Sequence, residues 1–297
     1  MERGGRKPPN GSMRRYFAIA LEAYQRFLAD DGWAIASHIA LSALMAMFPF
    51  FIVLTSLAGF FGSADLADEI ANLLLATWPQ EVARPLANEM HDVLTTARTG
   101  VFTLGVVLSV FFASSGVESL RIGLNRAYGL VETRNWIVLR LESIGDVLIA
   151  ALALLALGFL VVLGPLLFRT FARHVPWVRP WHEATFTFFR FALAALVLTV
   201  ALIVAHKWIP AGRRRMSEIV PGIAATLFLW LAAGVGLGRY LDEFSFSYVN
   251  TYAGLASAMM ALVFLYWTAT IFIYGSELNA ARLRARHRPA HAITDDT

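Results

Sequence analysis

The chain has 297 residues, of which 58% are hydrophobic and only 15% charged; soluble domains carry about 45–50% apolar and about 25% charged residues. With a mean hydropathy of +0.59, this composition excludes an ordinary soluble domain, and zero cysteines exclude disulfides, thiolate metal sites and a cysteine nucleophile. The net charge of +4 would suit a nucleic-acid partner, so the positions of the charges have to decide.

Residues 1–12 are rich in Gly, Pro and Arg and are expected to be disordered. In 13–30, Phe17, Ala20, Leu21, Tyr24, Phe27 and Leu28 recur at helical spacing, with Arg14, Arg15 and Arg26 among them. This predicts an amphipathic helix, lying on the inner leaflet or packed on the cytoplasmic ends of a bundle. A long apolar run at about 33–61 follows, interrupted only by His38 and softened by Pro49. It far exceeds a signal-peptide core and reads as a retained span. The connection at 62–100 is acidic, with Asp65, Asp68, Glu69, Glu81, Glu89 and Asp92. Two apolar stripes on either side of Pro79 predict two short helices over the outer end, as a lid or as a simple cover.

Five further runs cover about 101–118, 144–168, 186–208, 222–241 and 253–278. Together, the six runs make helical spans that satisfy their own backbone hydrogen bonds across ~30 Å of hydrocarbon. They are continuous rather than alternating, which excludes porin-like strands. The connection at 171–184 holds Pro176, Trp177, Pro180 and Trp181, an aromatic-belt composition. The predicted fold is therefore all-α and polytopic. A basic tail and amphipathic helix (1–32) precede a six-helix membrane domain (33–282), and a flexible tail (283–297) ends the chain.

Charge sets the orientation. Six Lys and Arg precede the first span, and four fall in each of the second connection, the fourth connection and the C-terminal tail. The other side carries six, so the count is eighteen against six, with Arg190 inside the fourth span. Such an excess places both termini in the cytoplasm. The basic residues are spread over four segments as topology and anionic headgroups require, so no nucleic-acid partner is expected and membrane lipids are.

Ionisable groups at membrane depth are the default place to look for function. Glu118, Arg121, Asn125 and Arg126 end span two, Glu142 and Asp146 open span three, and Glu277 and Asn279 close span six. They form a candidate polar vestibule opening to the cytoplasm, or else a belt of ion pairs locking helix ends. Glu277 has no basic residue at i+4 on its own helix, since that position is Ala281. Its partner is expected to be Arg121, Arg126 or Asn125 of span two. Arg190 sits about 6–7 Å into span four at 1.5 Å per residue, where it either snorkels outward or anchors an anionic headgroup. His38 is either a proton carrier or substrate contact, or a hydrogen-bonding strut between helices. Gly234 and Gly238 form a GxxxG pair in span five, suited to close packing or to a flexible helix.

Enzyme signatures are absent: no metal-binding histidine spacing, no GxSxG elbow and no Walker loop. A non-enzymatic protein without cofactor or metal is expected.

Several stretches resemble the YihY/BrkB family of bacterial inner-membrane proteins. Ala36, Ala40, Ser42 and Pro49 of span one, Leu124-Asn125 and Tyr128 after span two, and Pro221-Gly222 opening span five follow its pattern. The most specific stretch runs from Trp267 through Tyr274-Gly275-Ser276-Glu277-Leu278-Asn279. The resemblance implies a six-helix inner-membrane protein tied to envelope integrity and to lipid or solute export. An older family label, ribonuclease BN, implies tRNA processing, against which the missing metal and water-activating residues argue. Two functions are thus expected in order: a transporter or translocator of an amphipathic or anionic envelope compound such as a lipid, then a structural partner of an envelope complex.

Overall fold

The computed structural model describes residues 11–60, 99–158, 182–252 and 256–287. These residues form seven α-helices and no strand: α1 (Gly11–Ala29), α2 (Gly32–Phe60), α3 (Thr99–Tyr128), α4 (Trp136–Gly158), α5 (His182–Trp208), α6 (Met216–Tyr252) and α7 (Ala256–His287). The two expected outer-connection helices, the Pro/Trp connection, the outer end of the third run and residues 1–10 and 288–297 lie outside the described residues. The expected tail bounds are corrected where they overlap the helices: Gly11 and Ser12 open α1, and residues 283–287 continue α7, where Arg284 is held by Glu22.

Five helices contain stretches long and apolar enough to cross a membrane: Gly32–Val53, Phe102–Tyr128, Phe191–Trp208, Met216–Tyr240 and Ala258–Arg286. They correspond to spans one, two, four, five and six of the sequence reading. Helix α4 carries the start of the third run. Large apolar side chains such as Leu104, Phe111, Ile149, Leu152, Phe191, Phe228 and Leu231 stay exposed. An outer surface of this kind suits hydrocarbon and would aggregate in water.

Helix α7 is the axis of the bundle, packing against α1, α2, α3 and α6. The core lies toward one end, where Phe27, Ile35, Leu124, Ile209, Ile219, Phe272 and Ile273 cluster. Helix α1 lays Ile19 and Ala23 on Ala281 of α7, while Tyr16, Phe17, Leu21, Tyr24 and Leu28 point away and remain exposed. The packing of α1 on the bundle is the second of the two expectations for this segment.

Short local devices set the ends. Gly129 is left-handed at φ 64, donating to the Arg126 carbonyl at 2.9 Å while Leu130 donates to that of Asn125 at 2.8 Å. That pair of bonds is a Schellman stop for α3. Asn135 caps α4 by accepting from the Ile137 N–H at 3.0 Å. The α1–α2 junction turns at Asp31 (φ 58), and the Phe27 ring lies where any Cβ on Gly32 would stand. These turns bring the α1–α2, α3–α4 and α5–α6 junctions and the C-terminal end of α7 together. We call this the basic end.

Candidate functional site

A cleft of about 540 Å³ runs between α2 and α3 at the basic end. Asp31, Ala34, Ile35 and His38 line one wall and Ser115, Glu118, Ser119, Ile122 and Arg126 the other. The polar residues recur at one-turn spacing along α3, so a single stripe of that helix faces the opening. At the mouth, Arg126 donates to Asp31 at 3.0 Å and to the Asp30 carbonyl at 3.1 Å. Deeper in, the Ser119 hydroxyl lies 2.6 Å from His38 Nδ1 and that of Ser42 lies 3.4 Å from it. Arg140 of α4 reaches in to pair with Glu118 at 3.0 Å, its guanidinium 4.9 Å over the Phe111 ring. The cleft thus offers paired charges, hydroxyls and an imidazole on the flank of an otherwise apolar bundle.

Behind it lies a second polar group, and this one is closed. Arg121 is only 3% exposed and donates to the carbonyls of Ile209 (3.2 Å) and Leu139 (3.1 Å). Its remaining nitrogen lies 3.7 Å from Glu142. Arg134 bridges Glu132 and Glu142, each at 2.8 Å. Asn125 donates to Glu132 and accepts from the Ala211 N–H at 2.7 Å. Asp146 faces Arg121 and Glu142. This network ties α3, α4 and the α5–α6 connection together. Hydrogen bonds from Arg134 hold the Glu132 carboxyl down at about 2, and the same contacts raise Arg134. Arg214, stacked 3.6 Å over the Tyr128 ring, is lowered by burial.

The third group sits where α6 crosses α7. Asn279 accepts from the Gly222 N–H at 2.6 Å and donates to the Tyr128 hydroxyl at 3.4 Å. A Cβ on Gly222 would run into the Gly275 carbonyl, and one on Gly275 into Thr226 Oγ1. Glu277 is 1% exposed. Its nearest recorded cation is Arg284 at 4.0 Å, on its own helix one turn beyond the position the sequence reading considered. Arg284 in turn pairs with Glu22 of α1 at 3.1 Å. No bond joins Glu277 to Arg121, Arg126 or Asn125 among the described contacts. The expected link to span two is not made: Arg121 is turned to the Ile209 and Leu139 carbonyls, Asn125 is held by Glu132 and the Ala211 N–H, and Arg126 by Asp31 and the Asp30 carbonyl.

The polar set that the sequence offered as a vestibule or as a belt of ion pairs is distributed over three separate groups. Glu118 and Arg126 line the open cleft with His38; Arg121, Asn125 and Asp146 belong to the closed network; Glu277 and Asn279 lie in the α6–α7 core. The side chain of Arg190 lies outside the described residues. Around Gly234 and Gly238, an added Cβ would meet nothing within 4 Å among the described residues, and the close crossing is at Gly222 and Gly275 instead. Sequence reasoning passed over Ser119 and Asp31 as cleft residues. The signal was available in the spacing of Ser115 and Ser119, one turn apart and flanking Glu118.

A family model described as Virulence factor BrkB matches residues 23–295, and the chain belongs to that family. Among curated relatives, the ribonuclease-like protein YfkH of Bacillus subtilis (strain 168) is 21% identical over 268 residues, covering 90% of this chain and 96% of that protein. A UPF0761 membrane protein of Rhodospirillum centenum is 25% identical over 88% of this chain. One of Chromohalobacter salexigens is 26% identical over 93%. The match spans only 56% and 66% of the length of these two. No solved structure matches.

Proposed function

We propose that this BrkB-family membrane protein is a six-span protein of the bacterial inner membrane, with both termini in the cytoplasm. In this reading it moves an amphipathic or anionic envelope compound, such as a lipid, without catalysing a reaction. The observation that carries the reading is the cleft between α2 and α3. Its volume of about 540 Å³ falls in the roughly 300–1,000 Å³ range of small-molecule sites. A headgroup leaving water needs replacement hydrogen bonds; Ser119, His38 and the Glu118–Arg140 pair offer them while the tails stay in hydrocarbon.

The topology is supported by the assembly of the basic end. Segments that the charge count assigns to the cytoplasm touch one another there: Arg134 reaches the Ile209 carbonyl, and Arg284 reaches Glu22 and the Ala127 carbonyl. The sixth span is the apolar run that begins in α4 and continues in the sequence to Phe168.

The ribonuclease-like name of YfkH does not extend, in our reading, to the activity of this chain. His38 sits on the cleft while His206 is buried against the Leu202 carbonyl and the Phe272 ring, so the two do not share a site.

Reconstitution into vesicles carrying fluorescent phospholipid analogues tests the reading. Transbilayer movement should exceed that of protein-free vesicles, and Ser119→Leu, which fills the cleft, should slow it several-fold. Equal rates with and without protein, for anionic and zwitterionic analogues alike, would reject it. Purified protein should leave tRNA precursors intact with any divalent metal.

A further inference from the structure

Helix α1 carries two apolar faces, and the bundle takes only one of them. Ile19, Ala23 and Phe27, spaced by fours, turn inward: Ile19 and Ala23 onto Ala281 of α7, Phe27 into the main core cluster. Phe17, Leu21, Tyr24 and Leu28 recur at spacings of four, three and four. That row lies about 130° further round the helix at about 100° per residue. Phe17 is 71% exposed, and Leu21, Tyr24 and Leu28 are 46%, 45% and 45% exposed, so the described residues leave the stripe open over its whole length.

Four large apolar side chains in one row do not suit water, and their surroundings point to lipid. Trp33 is the second residue of α2, Trp136 the first of α4 and Trp208 the last of α5; all three are exposed, at the basic end. Tryptophans at helix ends mark the boundary between hydrocarbon and headgroups. Trp33 meets the Phe27 ring edge-on, 5.0 Å between centroids, and only Asp30 and Asp31 separate α1 from α2. The stripe therefore starts at that boundary and continues the apolar outer surface of the spans. Charge agrees. Helix α1 holds Arg14, Arg15 and Arg26, all exposed, against Glu22 alone, and Glu22 is engaged by Arg284 at 3.1 Å. Arg14 stands one turn before Phe17 and prolongs the stripe.

We propose that the row Phe17, Leu21, Tyr24 and Leu28 is a docking face for the anionic lipid leaflet at the basic end. The four side chains reach the boundary of the acyl region, as the apolar face of an interfacial helix does. Arg14 stays with the phosphates above them, its stem along the apolar row and its guanidinium outward. Arg15 and Arg26 add to the attraction that a negatively charged surface exerts on nearby basic side chains. Helix α1 is thus held from two sides, by α7 through Ile19 and Ala23 and by lipid through the second stripe. The inference does not depend on the transport reading, since this face of α1 takes no part in the cleft between α2 and α3.

The chain contains no cysteine, so single-cysteine variants can be spin-labelled without a background. Phe17→Cys, Leu21→Cys and Leu28→Cys report on the stripe, and Ala18→Cys and Ala29→Cys on the polar side of the helix. All five positions are exposed, so the Ile19, Ala23 and Phe27 contacts stay in place. The full chain is placed in nanodiscs of equal parts phosphatidylcholine and phosphatidylglycerol. Stripe labels should be relaxed more by dissolved oxygen, which gathers in the acyl region, than by a water-soluble nickel chelate. Labels at 18 and 29 should show the reverse. Pure phosphatidylcholine should shift the stripe labels toward the chelate, and Arg14→Gln with Arg15→Gln should do the same in the anionic discs. Stripe labels as open to the chelate as those at 18 and 29 would place the stripe in water and overturn the proposal. Labels shielded from both reagents would mean that protein covers the stripe, with label–label coupling identifying a second copy, and would overturn it equally. A profile indifferent to phosphatidylglycerol would overturn the assignment to an anionic leaflet.

Discussion

Helices α6 and α7 run together for most of their length, yet their two halves differ. At the basic end, Gly222 and Gly275 let the backbones meet, and Asn279 bonds the Gly222 N–H at 2.6 Å. Farther along, Gly234, Gly236 and Leu237 face Val263, Phe264 and Trp267 across an apolar groove of about 660 Å³. Both halves are rich in small residues, so glycine content alone does not tell a crossing from a groove. The difference lies in what stands opposite. A glycine faces a glycine, with an amide ready for the backbone N–H, in one half; in the other, glycines face bulky rings.

The largest expected effect comes from closing the first half. Gly222→Val or Gly275→Val places methyl groups against a backbone carbonyl and Thr226, and a carbonyl cannot rotate out of the way. Overpacking typically costs ~1–3 kcal/mol, and these sites belong at the upper end. Thermal unfolding in detergent should show a large drop in midpoint or no folded protein for both. Gly234→Val should stay folded. Similar losses for all three would erase the contrast between the halves.

The same contrast explains what was legible in the sequence. Hydropathy and length placed the five described helices that are long and apolar enough to cross a membrane, because apolar runs of that size have few alternatives. The family-like Tyr274–Asn279 stretch marked the right neighbourhood, since Gly275, Glu277 and Asn279 all sit at the crossing. Partners were harder. Arg121 sits one turn from Glu118 on the same helix, yet it turns inward to the Ile209 and Leu139 carbonyls while Glu118 faces the cleft. Which arginine meets which acid depends on helix rotation, and a hydropathy pattern with nearly uniform apolarity around the helix says little about rotation. The Gly234–Gly238 spacing left close packing and a flexible helix both open for a similar reason: a small-residue stripe permits close approach but does not require it.

A second, intermediate effect concerns the basic end under acid. The Glu132 carboxyl stands at about 2 against an ordinary 4.5, chiefly through hydrogen bonds from Arg134. A depressed folded value means its contribution is fully present above the ordinary value and is lost as pH falls from about 4.5 toward about 2. The protection factors of amides in residues 129–135, exchange rates divided out by their pH-dependent intrinsic rates, should therefore hold at pH 5 and fall progressively below about pH 4. Glu132→Gln should show lower protection already at neutral pH, with little further change in acid. An acid response that is the same in both proteins would mean that the α3–α4 connection is held by something other than this pair.

The smallest effect is the most discriminating, because its sign differs between the halves. Alanine is a better helix former than glycine by about 0.8–1 kcal/mol, so Gly→Ala stabilises wherever the added methyl meets no obstacle. At Gly234 and Gly238, nothing stands within 4 Å of the added Cβ among the described residues, and at Gly234 one methyl takes up little of the groove of about 660 Å³ that it lines. The unfolding midpoint of Gly234→Ala and Gly238→Ala should rise slightly or stay unchanged. At Gly222 the same methyl meets the Gly275 carbonyl and the Asn279 amide, so the propensity gain is outweighed and the midpoint should fall. A fall at Gly234 comparable to that at Gly222 would show the groove closed by a neighbour in the folded protein. The comparison between the two halves would then have to be drawn again, with a second crossing in place of an open groove.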